Sequence, residues 1–153
     1  MSIRDELNTV LKESLKAKDQ VAMSTIRLIS AAVKDRDIAA RGTGNDEGVT
    51  DAEILSLMQS MVKQRHESTK TYTEAGRPEL AEREQAEIEV IERFLPKQMS
   101  EEETIQAIDS IIADTGAQDI KDMGKVMGAL KSQYAGQLDM AKAGGLVKAR
   151  LAA

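Results

Sequence analysis

The stretch "KDMGKVMGALKSQYAG", residues 121–136, decides how this chain is read. Its apolar residues repeat at helical spacing, yet two glycines four apart interrupt it, and a glycine inside a helix costs roughly 1 kcal/mol relative to alanine. Winding residues 120–134 at about 100° per residue gathers Ile120, Met123, Val126, Met127, Leu130 and Tyr134 into one sector, expected to be buried. Gly124 and Gly128 fall beside that sector, among Lys121, Lys125 and Lys131. Two readings follow. Either the strip is a bare groove rimmed by ammonium groups that an anionic backbone such as RNA can approach, or the glycines admit a following helix whose own Gly144 and Gly145 are equally bare.

Working outward, the same periodicity fills the rest of the chain. "SIRDELNTVLKESLKAK" sets Ile3, Leu7, Val10, Leu11 and Leu15 on one helical face, and "DQVAMSTIRLISAAVKDRDIAAR" does so with Val21, Ile26, Leu28, Ile29, Val33 and Ile38, ending by Gly42. The run "RGTGNDEGVT" reads as a polar, mobile loop. Thr50 and Glu53 form a capping box ahead of a long third helix that stops at Gly76. Pro78 suits the first turn of a fourth helix, which Pro96 ends. A second box, Ser100 with Glu103, opens a fifth helix closed by Gly116; "DIKDMGKVMGALKSQY" is the sixth, and Asp139 caps the seventh. With no strand signal, the fold class is all-α. Residues 1–96 form an N-terminal four-helix part and residues 97–153 a small three-helix tail, with "FLPKQMS" at the boundary.

Composition narrows the function. The chain has 153 residues and no cysteine, which removes disulfides, thiolate nucleophiles and thiolate metal sites. No stretch approaches the ~20 apolar residues of a membrane span, and "MSIRDELNTV" has no signal-peptide core, so the expected location is cytoplasmic, without a membrane partner. The net charge of -5 is unevenly spread. Residues 74–103 carry ten acids against four bases, whereas residues 116–153 carry six bases against three acids. One end is acidic and the other mildly basic, and the acidic balance of the whole chain argues against a dedicated nucleic-acid protein, which is usually basic.

Catalytic material is scarce. His66, the single histidine, lies between Arg65 and Glu67 on a charged face and reads as a solvated surface residue rather than a general base. Glu82, Glu84, Glu87, Glu89 and Glu92 read as a solvated helix face rather than a set of oxygen ligands, since no calcium-type loop accompanies them. The serines have neither a glycine elbow nor a second histidine, and neither "GTG" at 42–44 nor "GKVMG" follows a strand, as a phosphate loop requires. Met58, Met61, Met123 and Met127 sit at core spacing. No catalytic residue, cofactor or metal site is expected.

Three stretches, "DELNTVLKESLKAKDQVAMSTIRLISAAVKDRDIAAR", "EIEVIERFLPKQMSEEE" and above all "IKDMGKVMGALKSQYAGQLD", make the chain resemble the GatB/YqeY family over essentially its whole length. In the tail the resemblance extends to the C-terminal domain of the B subunit of the glutamine-dependent aminoacyl-tRNA amidotransferase. It implies tRNA and amidotransferase subunits as partners, and it attaches the label of a carbon–nitrogen ligase with glutamine as amide donor. No residue set here hydrolyses glutamine or activates a carboxyl group, so the expectation is a monomeric, non-catalytic tRNA-binding or amidotransferase-associated module. The alternative is a protein-interaction adaptor using the acidic helix at 79–95 or the long third helix. The expected RNA-binding residues are Lys121, Gly124, Lys125, Gly128, Lys131, Gly136, Lys142 and Lys148. Many relatives read glycine, arginine, alanine, aspartate, glycine, lysine where this chain reads Gly136 to Lys142, so the arginine is replaced by Gln137 and the lysine arrives one residue later.

Overall fold

A computed structural model describes residues 2–152. Among them are seven α-helices and no strand: α1 (Ile3–Ala17), α2 (Gln20–Gly42), α3 (Asp51–Glu74), α4 (Pro78–Glu92), α5 (Glu101–Thr115), α6 (Met123–Gln133) and α7 (Met140–Ala152), with a 3₁₀ turn at Ile120–Asp122 before α6. The chain forms two compact units, one ending at Leu95 and the other beginning at Pro96.

In the first unit the helix starts are written locally. Thr50 accepts from the Glu53 N–H while Glu53 returns to the Thr50 N–H, as the capping box requires. Ser2 and Asp5 form another at α1. Pro78 occupies the first turn of α4. The core joins Ile3 and Leu7 of α1, Ala22, Ile26, Ile29 and Val33 of α2, Ile54, Met58 and Met61 of α3, and Val90, Ile91 and Phe94. Apolar periodicity overstated the buried face. Leu15, Val21, Leu28 and Ile38 are exposed, Ile38 by 54%, because the covered line of α2 runs through Ala22, Thr25, Ile26, Ile29 and Val33. On the wheel Ile38 lies more than about 120° from that line.

Two ion pairs stitch this unit across long sequence separations. Arg4 grips Asp37 with two hydrogen bonds of 2.9 and 2.8 Å, which fixes α1 antiparallel to α2. The same two side chains hold Val49: its N–H donates to Asp37 Oδ1 at 2.9 Å and its carbonyl accepts from Arg4 at 3.1 Å. The glycine-rich loop, read from sequence as mobile, is therefore tethered at its far end. Gly48 is obligatory there, with φ at +88° and an added Cβ falling 2.7 Å from Asp37 Oδ1. Arg65 bonds Glu87 at 3.0 Å, both side chains largely covered. Glu87 is thus a partner in an α3–α4 bridge rather than a member of the solvated acidic face.

The second unit packs Ala107, Ile108 and Ile111 of α5, Val126 and Leu130 of α6, Leu138, and Ala143, Val147 and Leu151 of α7. Its sixth element departs from the expected single helix. Asp119 accepts from the Lys121 N–H at 2.9 Å, and the Asp122 carboxylate accepts from the Gln118 N–H, so the first turn closes with the i→i+3 bond from Asp122 N–H to the Asp119 carbonyl. The tighter winding rotates Ile120 out of the α6 register, and it is 48% exposed instead of buried.

Candidate nucleic-acid interface

The two readings of Gly124 and Gly128 make opposite demands on the space around them. A Cβ built on either meets nothing within 4 Å. Both residues are exposed and neither has a positive φ. Neither packing nor backbone conformation requires glycine at these positions, so the strip is open and the helix-crossing reading fails there. The crossing falls one position off, at Gly144, where an added Cβ would lie 3.8 Å from Met127 Cε and 3.9 Å from Met123 Cε, in ordinary contact. A methyl there would meet the two methionine side chains without displacing them.

This contact sets the register of α7 against α6. On α6, with Met123 at zero, Lys131, Gly124 and Gly128 lie at about 80°, 100° and 140°, just outside the Met123–Met127 seam. On α7, Lys148 lies one turn beyond Gly144 on the same side, whereas Lys142 is turned about 160° away from Gly144. The eight expected residues therefore divide. Gly124, Gly128, Lys131 and Lys148 share the outer flank of the α6–α7 seam, and Lys121 stands exposed one turn before Gly124. Lys125 spends its ammonium on the Thr115 carbonyl at 3.0 Å, where it satisfies a group left without a partner at the C-terminus of α5. Gly136 is buried, with φ at +77° and its carbonyl accepting from Gln98 Nε2 at 2.7 Å. It makes the turn between α6 and α7 and lies off the open strip.

Carboxylates near the strip are mostly occupied. Hydrogen bonds from the backbone N–H groups of Gln118 and Asp119 hold Asp122 below its ordinary carboxylate range, with the charge of Lys125 a lesser cause and burial opposing. Asp139 caps α7 by accepting from the N–H groups of Ala141 and Lys142. The flank thus offers ammonium point charges over exposed backbone, with no aromatic side chain, an arrangement that suits phosphate positioning and carries no means of reading bases.

Sequence reasoning missed a cleft of about 470 Å³ on the other side of α7. Lys142 lines it together with Gln98, Met99 and Thr104 from the start of α5 and Gln137 and Asp139 from the turn before α7. Two hydrogen bonds fix its walls, Met99 N–H to the Gln137 carbonyl at 2.9 Å and Gln98 to Gly136. The one sequence signal was the pair of glutamines flanking segments that the helix pattern leaves irregular.

An all-helical chain of two compact units, the second presenting an open, lysine-edged glycine strip, defines the class of protein. A family model described as Yqey-like protein matches residues 4–151, and the chain belongs to that YqeY family. It is similar to the protein named Altered inheritance of mitochondria protein 41, mitochondrial, from Lachancea thermotolerans: 33% identical over 85 residues, which is 56% of this chain and 43% of that protein. The proteins of the same name from Vanderwaltozyma polyspora and Saccharomyces cerevisiae are 29% and 27% identical over 85 residues, 56% of this chain and 44% of each relative. The matched part spans less than half the length of these relatives. Among the described residues no helix is long and apolar enough to cross a membrane.

Proposed function

We propose that this YqeY-family chain is a cytoplasmic, non-catalytic RNA-binding module, with tRNA as its ligand and amidotransferase subunits as its associates. The observation that carries the reading is the open glycine pair: two helix-weakening residues with no use inside the chain lie beside exposed lysines, where a phosphate backbone can approach to contact. Lys121, Lys131 and Lys148 supply the direct contacts. Lys125, engaged with Thr115, contributes field more than contact.

With at most five lysines engaged, Lys142 included, affinity is modest, and retention of tRNA on a filter falls with salt at a log–log slope no steeper than about 4.5. Lys121→Glu with Lys131→Glu abolishes retention while helicity by circular dichroism stays unchanged. Salt-insensitive retention, or retention unaffected by the double variant, removes this face from consideration. The adaptor reading draws support from a different surface, the acidic helix at 79–95, on which Glu79, Glu82, Glu89 and Glu92 are exposed. A protein partner captured from a lysate irrespective of ribonuclease treatment, and lost on Glu82→Lys with Glu89→Lys, favours it. Fractionation of cells tests the cytoplasmic placement.

A further inference from the structure

We propose that the cleft between the starts of α5 and α7 receives one unpaired nucleotide of the bound RNA. The inference rests on the RNA reading above and extends it from phosphate positioning to recognition of a strand's state.

At about 470 Å³ the cleft lies in the range that holds a small-molecule-sized group. Its hydrogen-bonded walls exist before any ligand arrives. Ala143 is buried in the lining, with half-buried Met99 and Leu146, and buried Thr104 turns its hydroxyl to the Ser100 carbonyl at 2.8 Å. Gly145 leaves one wall bare, and like Gly124 it has no internal reason to be glycine, since its added Cβ meets nothing within 4 Å and its φ is not positive. Met99 adds a thioether to the lining, and a methionine sulfur packs favourably against an aromatic ring. The rim supplies what the edge of a base needs: the Gln137 amide donates or accepts, and the Glu101 carboxylate accepts from amino and imino N–H groups. Lys142, turned to this flank rather than to the α6–α7 seam, meets the nucleotide's own phosphate. The cleft therefore takes a single extruded base, which is how sequence in RNA is generally reached.

The test titrates the full ¹⁵N-labelled chain with each of the four nucleoside 5′-monophosphates, and separately measures binding of a stem-loop RNA and a fully paired duplex of equal length. Expected are saturable shifts confined to amides around Met99 and residues 143–146, and a stem-loop bound roughly two- to tenfold more tightly than the duplex, the worth of one thioether–ring contact. Gly145→Leu fills the slot with a better helix former. It should erase both the shifts and the stem-loop preference while duplex binding and its salt dependence persist. Lys142→Ala, at an exposed position, should weaken the monophosphate shifts without altering thermal stability. Absence of cleft shifts with every monophosphate overturns the proposal, as does a stem-loop preference that survives Gly145→Leu. A parent chain that ignores the duplex but shows the cleft shifts sinks the phosphate strip and leaves the cleft standing.

Discussion

Replacing Gly124 and Gly128 by alanine should make the protein more stable and a poorer RNA binder at once. Each glycine sits in α6 with non-positive φ, and the new methyl meets nothing within 4 Å, so no steric cost offsets the gain. Alanine is favoured over glycine in a helix by about 0.8–1.0 kcal/mol, largely because the unfolded chain has fewer conformations to lose. The double variant should therefore gain about 2 kcal/mol. For a unit of this size that raises the midpoint of thermal unfolding by roughly 8–16 °C. Because the chain has two compact units, the global melt need not be one transition, and amide hydrogen exchange in α5, α6 and α7 of the full chain is the better readout. The same methyls hold a phosphate backbone off the helix, and tRNA retention should fall several-fold. Slower exchange with undiminished retention would refute the contact role of the strip. Faster exchange would refute the stability argument itself, since it would mean that the methyls collide with something.

At the loop tether, Gly48→Ala should destabilise the first unit by about 2 kcal/mol in denaturant titration, from the left-handed backbone cost and a Cβ placed against Asp37. Asp37 itself is pulled to about pH 2 by the hydrogen bonds from Arg4 and then from the Val49 N–H. A depressed carboxylate contributes stability that is complete above its unfolded value near 4 and is lost as pH falls toward 2, so the protection factor at Val49, taken against the intrinsic exchange rate at each pH, should fall through that window in the parent and change far less in Asp37→Asn. Thr25 is fully buried with its hydroxyl unpartnered, so Thr25→Val should stabilise by about 1 kcal/mol by circular-dichroism melting; a loss instead would mean that a water partners the hydroxyl.

What the sequence could show depended on how far apart the deciding groups lie. Capping at Thr50 and Ser100 was legible because each box closes over three residues. The position of Gly124 and Gly128 outside the apolar sector was legible for the same reason, since a wheel needs only the helix. Ile120 was misplaced because two aspartates tighten the preceding turn into a different winding, and the apolar pattern contains no term for that. The Arg4–Asp37–Val49 tether spans 33 and 45 residues, and the Arg65–Glu87 bridge spans 22. In a list of charged positions these residues look like any other solvated side chain. Lys142 was grouped with the wrong flank because its side of α7 is fixed only by the contact of Gly144 with Met123 and Met127.

Three open helical glycines, at 124, 128 and 145, together cost about 3 kcal/mol against alanine, a considerable part of the 5–15 kcal/mol that usually holds a domain together. A Cβ at any of the three meets nothing within 4 Å, and on the reading proposed above the cost is returned by what comes up to the surface. The first two face the α6–α7 seam and the third faces the α5–α7 cleft, which makes the opening turns of α7 the ridge between both sites, with Lys148 on one slope and Lys142 on the other. A ligand that fills both must change direction across that ridge. A uniform duplex cannot, because its phosphates are fixed in register and its bases are inside. A strand leaving a stem can, with the paired phosphates on the seam and the first unpaired base in the cleft. On the two proposals together, the chain distinguishes a junction from a stem by geometry before any base edge is read.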